Sequence, residues 1–450
     1  MKLFRMLLIA AFALLAFGHP SSADAGAFTY TSSIQVQNLE STAATINIRF
    51  FSQSTGAEVT TALITDTVPA NGQKAYFPLT SAPAGFNGSV VIESTTQVAS
   101  ISNVVGNNFA ATASYVAASS GNTTVLLPLL MKGNSGFNTW FNIQNTGSST
   151  AHISIQYSDI GAPVTADIEP NAAKTFDQTT ESHPTKVFSA IVTSDQPIAA
   201  TVIEEDTDIM FAYSGFSAGT TDPVFPLINA NNAGYQTGVT IQNAGSTDSQ
   251  VTVSYTPSIA GTACTETQTI PAGESKTFAL NAFAGVPLTG MTTTCVGGAR
   301  FVGSAQVTTN SASQPLVGII NQLKMGVNGE AYGSFDASSA TAKVVLPLIM
   351  DRNGNATSGV YFTSINLMNV GSSATSVSCV FTNTTYSFNK TLQPGEGYSD
   401  LQSGKIADRY VGAATCTAGS GGQIVAVVNE LGSLSTADQL LVYEGINAAP

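Results

Sequence analysis

Charge is scarce in this chain: only 10% of its 450 residues are Asp, Glu, Lys or Arg, and just 15 are basic. Nucleic acid and anionic lipid are thereby excluded as principal partners, since both are held by clustered positive charge. With three histidines and one tryptophan, acid–base chemistry would have to be built almost wholly from carboxylates. The longest apolar run, Met6 to Phe17, spans about 12 residues, short of the roughly 20 that a membrane-spanning helix needs. Beyond that run no segment sustains a 3.6-residue period. Disorder is excluded as well, because 43% hydrophobic residues are ample for packed cores.

The apolar run follows Met1-Lys2-Leu3-Phe4-Arg5 and precedes small residues, the three regions of a secretory signal peptide over 1–25, with cleavage expected after Ala25 or Ala27. Its removal leaves 13 basic against 27 acidic side chains, a balance that favours cations or neutral polymers as partners. The exported chain is expected to be secreted, extracellular or associated with the cell surface, with no membrane span.

What the chain has in abundance is repetition. Gln37-Asn38, Gln144-Asn145, Gln242-Asn243 and Met368-Asn369 each open a similar stretch, followed by a small turn and an alternating segment. Those segments carry Ile46, Ile48, Phe50; Ile153, Ile155, Tyr157; Val251, Val253, Tyr255; and Val377, Cys379, Phe381. A period of two places one face in a core and the other in water. A Pro-Leu strand precedes the landmark in three copies (Pro128-Leu129, Pro226-Leu227, Pro347-Leu348), and each copy closes on a tyrosine, Tyr115, Tyr213, Tyr332 or Tyr443. Short strands punctuated by Gly and Pro predict an all-β fold of four tandem antiparallel sandwiches, about seven strands each, over 26–118, 122–216, 222–336 and 343–450. Short Ser/Thr/Ala-rich linkers suggest an elongated string.

The four cysteines fall two each in the last two copies, the pattern of one disulfide per module in an oxidising compartment. Cys379 stands where the other copies have Ile48, Ile155 and Val253, and Cys416 where they have Ile92, Val192 and Val307, so a core contact has been exchanged for a covalent one. Cys264 and Cys295 are expected to pair within repeat three.

Pro-Leu, the run Ile-Gln-Asn-x-Gly-Ser and Gln196-Pro197-Ile198-Ala199-Ala200 resemble tandem β-sandwich, immunoglobulin-like repeat proteins of about 100 residues per module, secreted by environmental bacteria. The resemblance covers essentially the whole mature chain and implies surface modules without naming a ligand.

Candidate chemistry is sparse. Gly215-Phe216-Ser217-Ala218-Gly219 matches a nucleophile elbow by letter, but no helix pattern and no histidine follow it. His152 falls on an outward position of its strand and His183 in a polar loop, so both are expected at the surface. The run Glu204, Glu205, Asp206, Asp208 and the loop Asp351, Asn353, Asn355 offer oxygen ligands for a calcium ion. The second loop has Ala356 where a calcium loop needs Gly and lacks the terminal Glu, so a turn-forming loop is the stronger reading of it. Trp140, flanked by Phe141, leaves an exposed aromatic contact open, as sugar stacking would need.

Taken together, these features lead to the expectation of a secreted, non-enzymatic structural or adhesive protein, with a carbohydrate-binding protein as the alternative. Counting 17 residues back from Asn38, the Pro-Leu spacing of repeats two and three, reaches Ser21 inside the leader. Either repeat one lacks its opening strand or, if that strand completes the preceding module, repeat four is incomplete. An open sheet edge at either end would support self-association into fibres or a surface layer.

Overall fold

In every copy the period-two pattern becomes a strand. Ala44–Ser52, Ala151–Tyr157, Ser249–Ala260 and Thr375–Phe381 each alternate buried and outward residues at the expected parity. The computed structural model describes residues 4–8, 26–311, 313–434 and 436–448 and is all-β with antiparallel pairing, apart from short helical turns such as Leu280–Ala284. The chain divides into two compact units, one running through Ser217 and taking in residues 435–439, the other comprising the remainder from Ala218.

The same sheet order recurs in each copy. One sheet runs from the opening strand through an inner strand and the alternating strand to the polar strand; the facing sheet holds the landmark strand between the strand after the Pro turn and the Gln-led strand, which in turn carries the Tyr strand. The strand after the Pro turn, for example Gln73–Tyr76, adds an eighth strand to the shared pattern of seven, and repeats three and four carry further short strands such as Thr292–Thr293 and Ile446–Ala448. In repeat two, Val187–Glu205 is continuous and serves both sheets, pairing first with Ala151–Tyr157 and then with Asn138–Asn145. Between the sheets lie the apolar faces of both, with Ile48, Ile155, Val253 and Cys379 all fully buried.

The opening strands pair with their own repeats. Asn122–Met131 lies on Val187–Glu205, Pro223–Ala230 on Phe301–Thr309 and Lys343–Asp351 on Tyr410–Ala418. Repeat four thus carries its own opening strand, and repeat one is the copy with no Pro-Leu strand. Its slot is taken by Phe4–Leu8, which pairs antiparallel with Gly88–Ser94. The remainder of the expected signal peptide, residues 1–3 and 9–25, lies outside the described residues.

Both disulfides form: Cys264 with Cys295, and Cys379 with Cys416. Cys379 and Cys416 are direct register partners, as Ile155 and Val192 are in repeat two.

Candidate functional site

The residues that recur in every copy are built into the fold. The landmark asparagine is a clamp. Its Nδ2 donates to the carbonyl four residues on (Thr42, Ser149, Thr247, Ser373; 2.7–2.9 Å) and to the carbonyl ending the polar strand (Val68, Ile168, Ile270, Leu392; 2.8–3.3 Å). Its Oδ1 accepts the amide two residues on, at Glu40, Gly147, Gly245 and Gly371. Only an amide side chain offers donors and an acceptor on one short stem, so Asn ties the turn to the opposite sheet with no buried group left over.

Pro-Leu and the closing tyrosine form a second device. Proline lacks an N–H and the ladder slips at it, with register breaks between Phe188 and Ala190, Phe225 and Ile228, and Leu346 and Ile349. The tyrosine hydroxyl fills the break, Tyr213 donating to the Leu129 carbonyl at 2.5 Å, Tyr332 to Leu227 at 2.5 Å and Tyr443 to Leu348 at 2.6 Å. In repeats three and four the same hydroxyl also accepts the Leu227 and Leu348 amides, each at 3.1 Å. Burial pushes these phenols up from their ordinary pKa.

The acidic run does not converge. Glu204 and Glu205 are adjacent on one strand and so project to opposite faces, and both are buried. Glu205 accepts from the Tyr30 hydroxyl at 2.7 and 2.8 Å, from Trp140 Nε1 at 3.2 Å and from the Ala27 amide at 2.5 Å. Burial raises its pKa, with those donors opposing the rise. Only Asp206 and Asp208 reach the loop, where Asp206 caps its own turn through the amides of Asp208 and Ile209. Trp140, expected as a possible exposed contact, is 2% exposed and packs edge-on against Tyr30 at 5.5 Å; an aromatic beside a buried carboxylate fills space and satisfies it.

The second calcium candidate diverges as well. Asp351 is fully buried and accepts the Gly404 and Ile406 amides, both at 2.8 Å, and Arg352 Nε at 3.0 Å. Burial would raise its pKa, but these donors outweigh burial and hold it below the usual carboxylate value. Asn355 caps the amides of Thr357 and Ser358, while Asn353 turns toward the Met350 sulfur. Among the described residues no three His, Cys, Asp or Glu side chains gather to hold a metal ion.

The ring of His183, expected at the surface, is instead covered: its side chain is buried and stacked on Phe188 with ring centroids 3.7 Å apart, its Nδ1 3.0 Å from Asp159 and its Nε2 3.0 Å from Gln178. Polar flanking residues concealed this, because the groups that cover the ring, Asp159, Gln178 and Phe188, come from outside the loop Glu181–Pro184. His152 is exposed as expected, 2.8 Å from Asp167. Ser217 of the G-x-S-x-G run sits at a bend between the bridging residues Phe216 and Thr220, and no helix follows it as a strand-to-helix turn would need.

Within the second unit a cleft of about 310 Å³ is lined by residues including Thr256, Gln306, Met368, Val370 and Ser372, and no titratable side chain lines it. In the first unit, Phe77 is 47% exposed and meets Phe109 edge-on at 5.9 Å.

No family model and no curated protein matches the chain. Among solved structures, the crystal structure of Thermotoga maritima 1070 aligns with 21% of this chain and 94% of its own length, at 19% identity and a TM-score of 0.17.

Proposed function

We propose that this chain is a secreted, non-enzymatic structural or adhesive protein of the cell surface or extracellular matrix. One observation carries the reading: the recurring polar side chains, the Asn clamp in all four copies and the Tyr hydroxyl in repeats two, three and four, are used up in holding the sandwiches together. Selection for chemistry would leave one copy with a divergent, converging set of titratable groups, and no titratable side chain lines the cleft in the second unit. The acidic, weakly charged surface suits neutral polymers or a second copy more than anionic ones.

The test is to purify the exported protein and examine it by size-exclusion chromatography and electron microscopy alongside a binding assay on whole cells. Filaments, sheets or retention on cells without turnover of a substrate panel are the expected results. A monomer that binds no cell surface and hydrolyses a substrate would overturn the reading. The alternative, a carbohydrate-binding protein, is favoured by the exposed Phe77 beside Phe109. A glycan array on which binding is lost with Phe77→Ala would favour it.

A further inference from the structure

The slot filled by Phe4–Leu8 has three occupied counterparts, and they define what it takes. Opposite the last core aromatic of the alternating strand sit Val90, Ala190, Ala305 and Ala414, paired with Phe50, Tyr157, Tyr255 and Phe381. On their other side these four meet Leu8, Leu127, Phe225 and Leu346. The step before is Leu7, Leu126, Val224 and Val345 in the same order, and Leu127, Phe225 and Leu346 are each wholly buried. The leader strand thus holds, residue for residue, the register of a strand that the other copies carry internally. Removing residues 1–25 would leave the backbone edge of Gly88–Ser94 unpaired beside the repeat-one core, the situation in which a sheet recruits a strand.

The residues that follow the leader cannot refill the slot. After Ala25 only four residues precede Tyr30, whose strand is already paired with Val98–Gly106, and the Ala27 amide is fixed on Glu205. A second copy has no strand to spare, because all three Pro-Leu strands are built into their own sheets.

We propose that, once the leader is removed, the edge of Gly88–Ser94 is a strand-acceptor site. Its ligand is an extended aliphatic tail of another exported protein, of the Val-Leu-Leu-Pro-Leu type, added antiparallel in the register of Phe4–Leu8. This goes beyond the scaffold reading and rests only on removal of residues 1–25.

To test it, the full chain is given a specific protease site at the leader boundary, cut after folding and separated from the leader peptide. Backbone hydrogen exchange at 88–94 is then followed with and without a synthetic peptide of residues 122–131 and a control peptide in which the positions of Leu126 and Leu127 carry Asp. The expected result is at least tenfold faster exchange on leader loss, reversed by the first peptide and not by the control. If leader loss unfolds repeat one, refolding on addition of the first peptide supports the site and failure to refold overturns it. Slot-facing amides that stay protected without peptide, protection that appears only with dimerisation, or an exported protein whose N-terminal sequence retains residues 4–8 would each overturn the proposal, whereas the alternate amides that face Ala44–Ser52 serve as the internal control.

Discussion

Repeats two and four solve one packing problem in two ways. At the centre of the inner and alternating strands repeat two sets Ile155 opposite Val192, and repeat four sets Cys379 opposite Cys416. All four side chains are fully buried. An apolar pair stabilises by removing surface from water in the folded state, whereas a disulfide acts mainly by restricting the unfolded chain, here across a separation of 37 residues. The two repeats should therefore respond to different insults. Ile155→Ala should destabilise repeat two by about 2–5 kcal/mol through the cavity it leaves. Replacing both Cys379 and Cys416 with Ala should cost repeat four a comparable amount, on the order of 4 kcal/mol from loop entropy. Residue-resolved hydrogen exchange separates the copies: reductant should accelerate exchange in Thr375–Phe381 and leave Ala151–Tyr157 unchanged, and equal acceleration in both would break the comparison.

The Asn clamp is where the two repeats agree. Asn145→Ala and Asn369→Ala each delete two donors and an acceptor from a buried turn, and each should cost about 1–3 kcal/mol, the range for leaving buried partners unsatisfied. Similar losses in both copies, seen as matched faster exchange at Ile168 and Leu392, are expected. A loss confined to repeat two would mean that the disulfide has taken over the clamp's role in repeat four.

Buried carboxylates sharpen the contrast between the two units. Glu205 is raised by burial above its ordinary 4.5, so its contribution to stability is fully present below that value and is lost as pH rises through the folded pKa. Asp351 is lowered from 3.8 because the Gly404 and Ile406 amides and Arg352 outweigh burial, so its contribution is present above 3.8 and lost as pH falls through the folded pKa. Mild acid should accordingly tighten the Glu205 cluster, and stronger acid loosen the Asp351 loop. Trp140, the single tryptophan, reports on the first directly. Its fluorescence should titrate above pH 4.5 in the native chain and lose that titration in Glu205→Gln, while Asp351→Asn should leave it untouched.

How much of this was legible in the sequence follows from which residues set the pattern. Strand parity was readable because a period of two repeated four times fixes the inward face, and the facing cysteines followed from that alignment. The acidic run was opaque: a row of carboxylates reads as a set of oxygen ligands, yet Glu204 and Glu205 continue a strand whose faces are both covered. Their partners lie far away, Tyr30 being 175 residues upstream of Glu205. His183 hid for the same reason, since Asp159 and Phe188 reach it only through the fold. The Asn and Tyr clamps were visible as recurrence but not as chemistry, because their partners are main-chain carbonyls, which sequence identity does not mark.

The smallest expected effect tests the parity that supports all the others. His152 neighbours Ile153 on the alternating strand of repeat two and points outward, with most of its side chain in water. The Asp167 carboxylate, 2.8 Å away, raises its pKa above the ordinary 6.5, with Asp195 adding to the effect. Any stabilisation from the charged imidazole would be present below 6.5 and lost as pH rises through the raised value, but an exposed pair is screened by solvent and salt. His152→Ala should therefore leave the exchange of Ala151–Tyr157 unchanged at pH 5 and at pH 8, beside the large loss from Ile155→Ala. A comparable loss from both substitutions would put the strand's register out by one residue, and with it the equivalence of Ile155 and Cys379 on which the comparison of the two repeats stands.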